Sequence, residues 1–176
     1  RAVTLGDIAR IKVSKGEVDE ALKLHQDRLT VFQALGDQRS RAVTLGDIAR
    51  IKVSKGEVDE ALKLHQDRLT VFQALGDVDG KAHTLWSIAQ IEIQKEDYPN
   101  AFLHLQESYT ILLKLGRLDG IIYVGLDLGQ FLCAIGETEQ GVAVLSRSRD
   151  GFRKLGQEAQ AQQVQARLDS LSSPDR

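Results

Sequence analysis

The chain has 176 residues, 23 basic and 25 acidic side chains and a formal net charge of −2. That balance lacks the basic excess of a non-specific nucleic-acid binder, and no run approaches the roughly 18 apolar residues of a membrane span. Cys133 is the only cysteine, which excludes an internal disulfide and a cysteine-based zinc site. The expectation is a soluble cytoplasmic protein with no cofactor, no bound metal, no nucleic acid and no membrane among its partners.

Arg1 to Asp37 recurs letter for letter as Arg41 to Asp77, and weaker copies follow from Lys81 and Ile121. A fixed period of about 40 residues, each long enough for two helices, predicts an all-α array of stacked helix pairs. The predicted units are 1–40, 41–80, 81–120 and 121–156, followed by a capping helix at 157–171 and a frayed tail at 172–176, all in one domain. In the first helix Leu5, Ile8, Ala9 and Ile11 form an apolar stripe at helical spacing. In the second, Ala21, Leu22, Leu29, Phe32 and Leu35 do the same, widened by Leu24 and Val31 to suit a helix with neighbours on more than one side. Gly16 separates the two helices and Gly36 follows the second, both at positions where a left-handed residue ends a helix. Glu17, Asp19 and Glu20 gather at the start of the second helix, opposite the positive end of its dipole.

The inter-helix glycine recurs at Gly56 and Gly136, and the terminal one at Gly76, Gly116 and Gly156. The third unit has Glu96 instead, followed by Asp97, Tyr98 and Pro99, the proline being tolerated in a first helical turn. A small residue early in the second helix, Ala21, Ala61, Ala101 and then Gly141, implies close helix approach. After Gly156, Ala161, Val164, Leu168 and Leu171 make a last stripe with Gln160, Gln162, Gln163 and Gln165 largely off it, the polar outer face of a solenoid cap.

The small residue five positions after the inter-helix glycine, together with Leu5, Leu45 and Leu85 ahead of Ile8-Ala9, Ile48-Ala49, Ile88-Ala89 and Leu128-Gly129, resembles the tetratricopeptide repeat. The closing proline of that repeat is replaced by Leu-Gly, as in Leu35-Gly36. This longer variant is similar to the repeats of MalT-type bacterial regulators and of the LGN and rapsyn scaffolds. The resemblance implies a right-handed α-solenoid and the binding of a protein or peptide on a concave face lined by the first helices.

Carrying the family's lining positions onto this chain gives four columns. They are Val3, Val43, His83 and Tyr123; Gly6, Gly46, Trp86 and Leu126; Arg10, Arg50, Gln90 and Gln130; and Val13, Val53, Ile93 and Cys133. Two arginines over small and aliphatic residues suit a carboxylate, and aromatics and arginine are enriched among binding hot spots. The implied ligand is an extended or helical peptide with acidic and apolar character.

His25 and His65 align with Leu105 and Leu145, and His104 with Leu24, so these histidines read as packed and satisfied rather than catalytic. Cys133 aligns with Val13, Val53 and Ile93 and reads as a small hydrophobe. No phosphate loop, HExxH or nucleophile elbow occurs, and an enzyme is not expected. A second expectation is self-assembly, as dimers or head-to-tail stacks, through an N-terminal repeat that lacks a polar cap.

Overall fold

The computed structural model describes residues 2–172; Arg1, the tail at 173–176 and the side chains of Ala2, Val3 and Ser172 lie outside the described residues. Among those described, the chain forms helices α1 (Ala2–Ser14), α2 (Val18–Leu35), α3 (Gln38–Ser54), α4 (Val58–Leu75), α5 (Val78–Gln94), α6 (Tyr98–Leu115), α7 (Leu118–Ala134), α8 (Thr138–Lys154) and α9 (Glu158–Ser172). The fold is an all-α repeat solenoid of helix pairs. It divides into two compact units, Arg1–Ile91 and Glu92–Arg176.

In the first unit, the packing starts from alanines that let backbones approach. Ala9 of α1 and Ala21 of α2 are fully buried and receive Ile51 of the following α3, with Val18, Leu22 and Leu24 around them. The next repeat does the same: Ala49 and Ala61 receive Ile91 of α5, flanked by Val53, Val58, Leu62 and Leu64. Each first helix is thereby seated on the pair before it.

The second unit uses a different set for the same purpose. Ile122, Leu145, Phe152, Ala161, Val164 and Leu168 form one core joining α7, α8 and α9. Where Gly141 replaces alanine, an added Cβ would lie 2.4 Å from the Cys133 sulfur and 2.8 Å from the Gly129 carbonyl oxygen, so α8 approaches the α7 backbone more closely than an alanine would allow. Aromatic rings take the place of aliphatics between α6 and α7, with Phe131 stacked on Phe102 at 5.8 Å and tilted against Tyr98 at 6.1 Å.

The C-terminal ends of α1 to α8 are closed by one device. Gly36 has φ 68°, its N–H donates to Gln33 O, and the Asp37 N–H donates to Phe32 O, which satisfies carbonyls of the last turn. The same pair of bonds closes α5 around Glu96, whose N–H donates to Ile93 O while Asp97 N–H donates to Glu92 O. Glu96 has φ 60°, a left-handed conformation in which its Cβ crowds the backbone. Glu96→Gly is therefore expected to stabilise the fold by about 1 kcal/mol, read as a higher denaturant midpoint with an unchanged m-value. An unchanged or lowered midpoint would show that no strain is released there.

Candidate functional site

The first unit contains a cleft of about 240 Å³ between α1 and α3, floored by α2. Arg10 and Val13 line it from α1, Asp47, Arg50, Ile51 and Ser54 from α3, and His25 from below. The Arg10 guanidinium donates to Asp7 at 3.0 Å, and Arg50 is paired with Asp47. Both arginines are about 70% exposed (69% and 71%), so their remaining N–H donors face solvent. Asp47 also accepts from Arg28 of α2 at 2.9 Å, in a pair that is only 12% and 14% exposed.

Gly6 and Gly46 do not open the groove that their column implied. Both are buried, and each lies beneath an arginine of the second helix: a Cβ on Gly6 would sit 3.1 Å from the Arg28 guanidinium, and one on Gly46 2.9 Å from that of Arg68. Those guanidiniums also lie over Phe32 and Phe72, each 5.3 Å from the ring centroid. The missing side chains admit a cation from the same repeat, not a ligand.

The histidines also differ from the satisfied packing expected of them. His25 and His65 are each 2% exposed, but neither Nδ1 has a hydrogen-bond partner among the described residues. Burial pushes the His65 pKa down to about 4, assisted by Arg68 and Arg50. Burial lowers the His25 pKa as well; Asp47 opposes the shift while Arg28, Arg50 and Arg10 add to it. His104, aligned with packing leucines, instead contacts the buried Glu92 carboxylate through Nδ1 at 2.7 Å. Glu92 stands where the earlier repeats have Lys12 and Lys52, so the second unit exchanges that lysine's links to Glu17 and Glu57 for a histidine–carboxylate contact.

The other residues of the predicted columns are distributed as follows. Val53 packs into the Ala49–Ala61–Ile91 core and does not line the cleft. In α5, His83 and Trp86 are half-buried and Gln90 is exposed; His83 Nε2 lies 3.8 Å from Asp79. Ile93 belongs to the second unit and is half-buried.

Tyr123, Leu126 and Gln130 do come together, at a cleft of about 150 Å³ in the second unit. Its opposite wall is Gln160, Gln163 and Arg167 of α9, over a floor of Phe152 and Val164. The Tyr123 ring meets Phe152 edge-on at 5.3 Å and its hydroxyl donates to Gln157 Oε1 at 3.1 Å. Cys133 lies near this end; burial pushes its thiol pKa up while Arg167 opposes the shift.

Sequence reasoning missed the α9 wall because its glutamines look like a solvated cap. The available signal was spacing: 160, 163 and 167 repeat the i, i+3, i+7 pattern of 123, 126 and 130, which puts each set on one helix face. Asp47 and His25 were hidden for another reason, since their roles depend on which repeat lies beside them. Among the described residues, no cluster of three His, Cys, Asp or Glu side chains could hold a metal ion, and no helix is long and apolar enough to cross a membrane.

Successive helix pairs with clefts between their first helices define a helical-repeat protein. The tetratricopeptide repeat model matches residues 1–74 and again 40–114, and the chain belongs to that family. No curated protein matches the sequence. Solved structures share the fold at low identity. TPR-like repeats assigned to a kinesin light chain of Podosopora anserina superpose with a TM-score of 0.71 at 16% identity, covering 97% of this chain and 94% of that one. The apo form of RapI gives 0.87 at 11% identity over 98% of this chain and 63% of that one. A Rap protein complexed with Competence and Sporulation Factor gives 0.77 at 14%, over 86% and 43%.

The two buried histidines make stability depend on pH in a defined direction. A histidine whose folded pKa lies below its unfolded value of 6.5 binds its proton more readily when unfolded. Stability is therefore retained above pH 6.5 and lost as the pH falls towards about 4. His65→Leu, the residue type at 105 and 145, is expected to flatten that fall in denaturant midpoints measured from pH 7 to 4. An equal slope in the variant would mean that His65 is protonated in the folded state.

Proposed function

We propose that the chain is a protein-interaction scaffold that binds a peptide with acidic and apolar residues along its first helices, and that it does not itself catalyse a reaction. The observation carrying this reading is the cleft in the first unit, where two arginines from equivalent positions of successive repeats flank an apolar wall of Val13 and Ile51. Each guanidinium has five N–H donors and uses only part of them on Asp7 or Asp47, so an incoming carboxylate can share it. The cleft of the second unit offers glutamine amides and Arg167 above Phe152, a surface suited to main-chain amides and an apolar side chain. The Rap protein solved with Competence and Sporulation Factor supports the reading by likeness of fold.

A labelled peptide of alternating Glu and Leu, compared by fluorescence anisotropy with its Gln and Leu counterpart, tests this. The acidic peptide is expected to bind more tightly, to weaken as salt rises, and to lose about tenfold in affinity to the Arg10→Gln, Arg50→Gln double variant. Equal binding of the two peptides would sink the reading.

A further inference from the structure

The two identical repeats allow a comparison in which helices of the same sequence, α2 and α4, are followed by different helices, α3 and α5. α2 and α4 have the same sequence, and each lays an arginine over a glycine and a phenylalanine. Arg28 is neutralised by Asp47, which reaches it from α3 at 2.9 Å. The residue of α5 in the register of Asp47 is Ser87. α5 sits on its preceding pair as α3 does, Ile91 taking the seat of Ile51, so the register carries over to space. Ser87 has no charge to offer, and its hydroxyl donates to the His83 carbonyl at 3.1 Å.

Arg68 is left half-buried with no ion pair among the described residues; its Nε is buried and unpartnered, as is that of Arg28, so the missing ion pair is what separates the two. Its surroundings worsen the imbalance. Burial pulls its pKa down to about 10, and Arg50 adds to that, while Asp47 and Asp77 only partly compensate. Both carboxylates are engaged elsewhere, Asp47 by Arg28 and Arg50 and Asp77 by Arg39. A cation partly withdrawn from water without a counter-charge carries a cost that a supplied anion reduces.

We propose that Arg68 is the core of a carboxylate-binding site in the first unit, filled by an acidic side chain of a bound peptide at the position where Asp47 serves the preceding repeat. It deepens the peptide-binding reading and rests on it for the source of the carboxylate. Ser87 makes room for the incoming group, and Arg50, one helix turn beyond Asp47, adds a second cation. The arginine of the first repeat receives its acid, Asp47, from the next repeat of the chain and needs none from outside. The arginine of the second repeat meets Ser87 of the third at that position, so the duplicated helix provides one closed and one open version of the same site.

The test uses free glutarate as the probe, with inorganic phosphate as the comparison and chloride to hold ionic strength constant. Thermal unfolding of the wild type is expected to shift upward with glutarate. In Ser87→Asp, the internal carboxylate should raise the ligand-free Tm and reduce the glutarate shift at least about threefold. Ser87→Asn, similar in shape and uncharged, should keep the wild-type shift. Loss in both variants would make the effect steric, and no difference between wild type and Ser87→Asp would mean that the anion binds elsewhere; either overturns the proposal. A shift with phosphate and none with glutarate would overturn the carboxylate assignment. If glutarate behaves as expected while no acidic peptide binds, the Arg68 site stands and the peptide reading is what fails.

Discussion

The first unit depends on how closely successive helices approach at alanine. Ala9 and Ala21 have no side chain beyond Cβ and are fully buried, and that notch is what lets Ile51 of the next repeat sink to 4% exposure. The same notch at Ala49 and Ala61 takes Ile91. Burying a side chain of this size contributes roughly 1.5–3 kcal/mol, and a larger residue at either alanine would push the helices apart and forfeit it. Each cleft is a consequence of this seating, since it fixes the distance between one first helix and the next while the second helix forms the floor.

Much of this was legible in the sequence, and for a definite reason. Period, helix ends and small positions are set by local backbone conformation and by side-chain volume, both of which residue type reveals. The glycines after each helix, Ala21 with its equivalents, and the stripe of α9 could be read without knowing any neighbour. Even Glu96, which breaks the glycine pattern, keeps the same pair of closing hydrogen bonds, because its neighbours impose the left-handed turn on it.

What escaped were properties that belong to pairs of repeats. Ile11 and Ile51 are the same letter in the same local context, yet one is 54% exposed and the other 4%. Gly6 looked like a gap in a binding surface because a glycine column shows absence of volume and not what fills it; the filler is an arginine 22 residues further on, Arg28. His25 and His65 looked like satisfied core residues because their aligned leucines are buried. Alignment conveys burial but not the fate of a ring nitrogen, and both Nδ1 atoms are left without a partner.

Perfect duplication turns these differences into an argument about function. Within the first two repeats selection on individual positions cannot be seen, because the letters are the same. The environment is not the same, and the third unit is where it changes: Ser87 for Asp47, Gln90 for Arg50 and Trp86 for Gly46 all fall on one stretch of α5. Of these, Ser87 stands where Asp47 meets the preceding second helix, so it alters what the unchanged helix α4 faces. A half-buried arginine that is neutralised in one setting and not in the next points to an anionic partner more strongly than a fully exposed basic residue does, because solvent cannot fully stabilise it. In a repeat protein the chemistry of a site is therefore written in the difference between a helix and its successor, and residues identical in sequence can carry opposite roles.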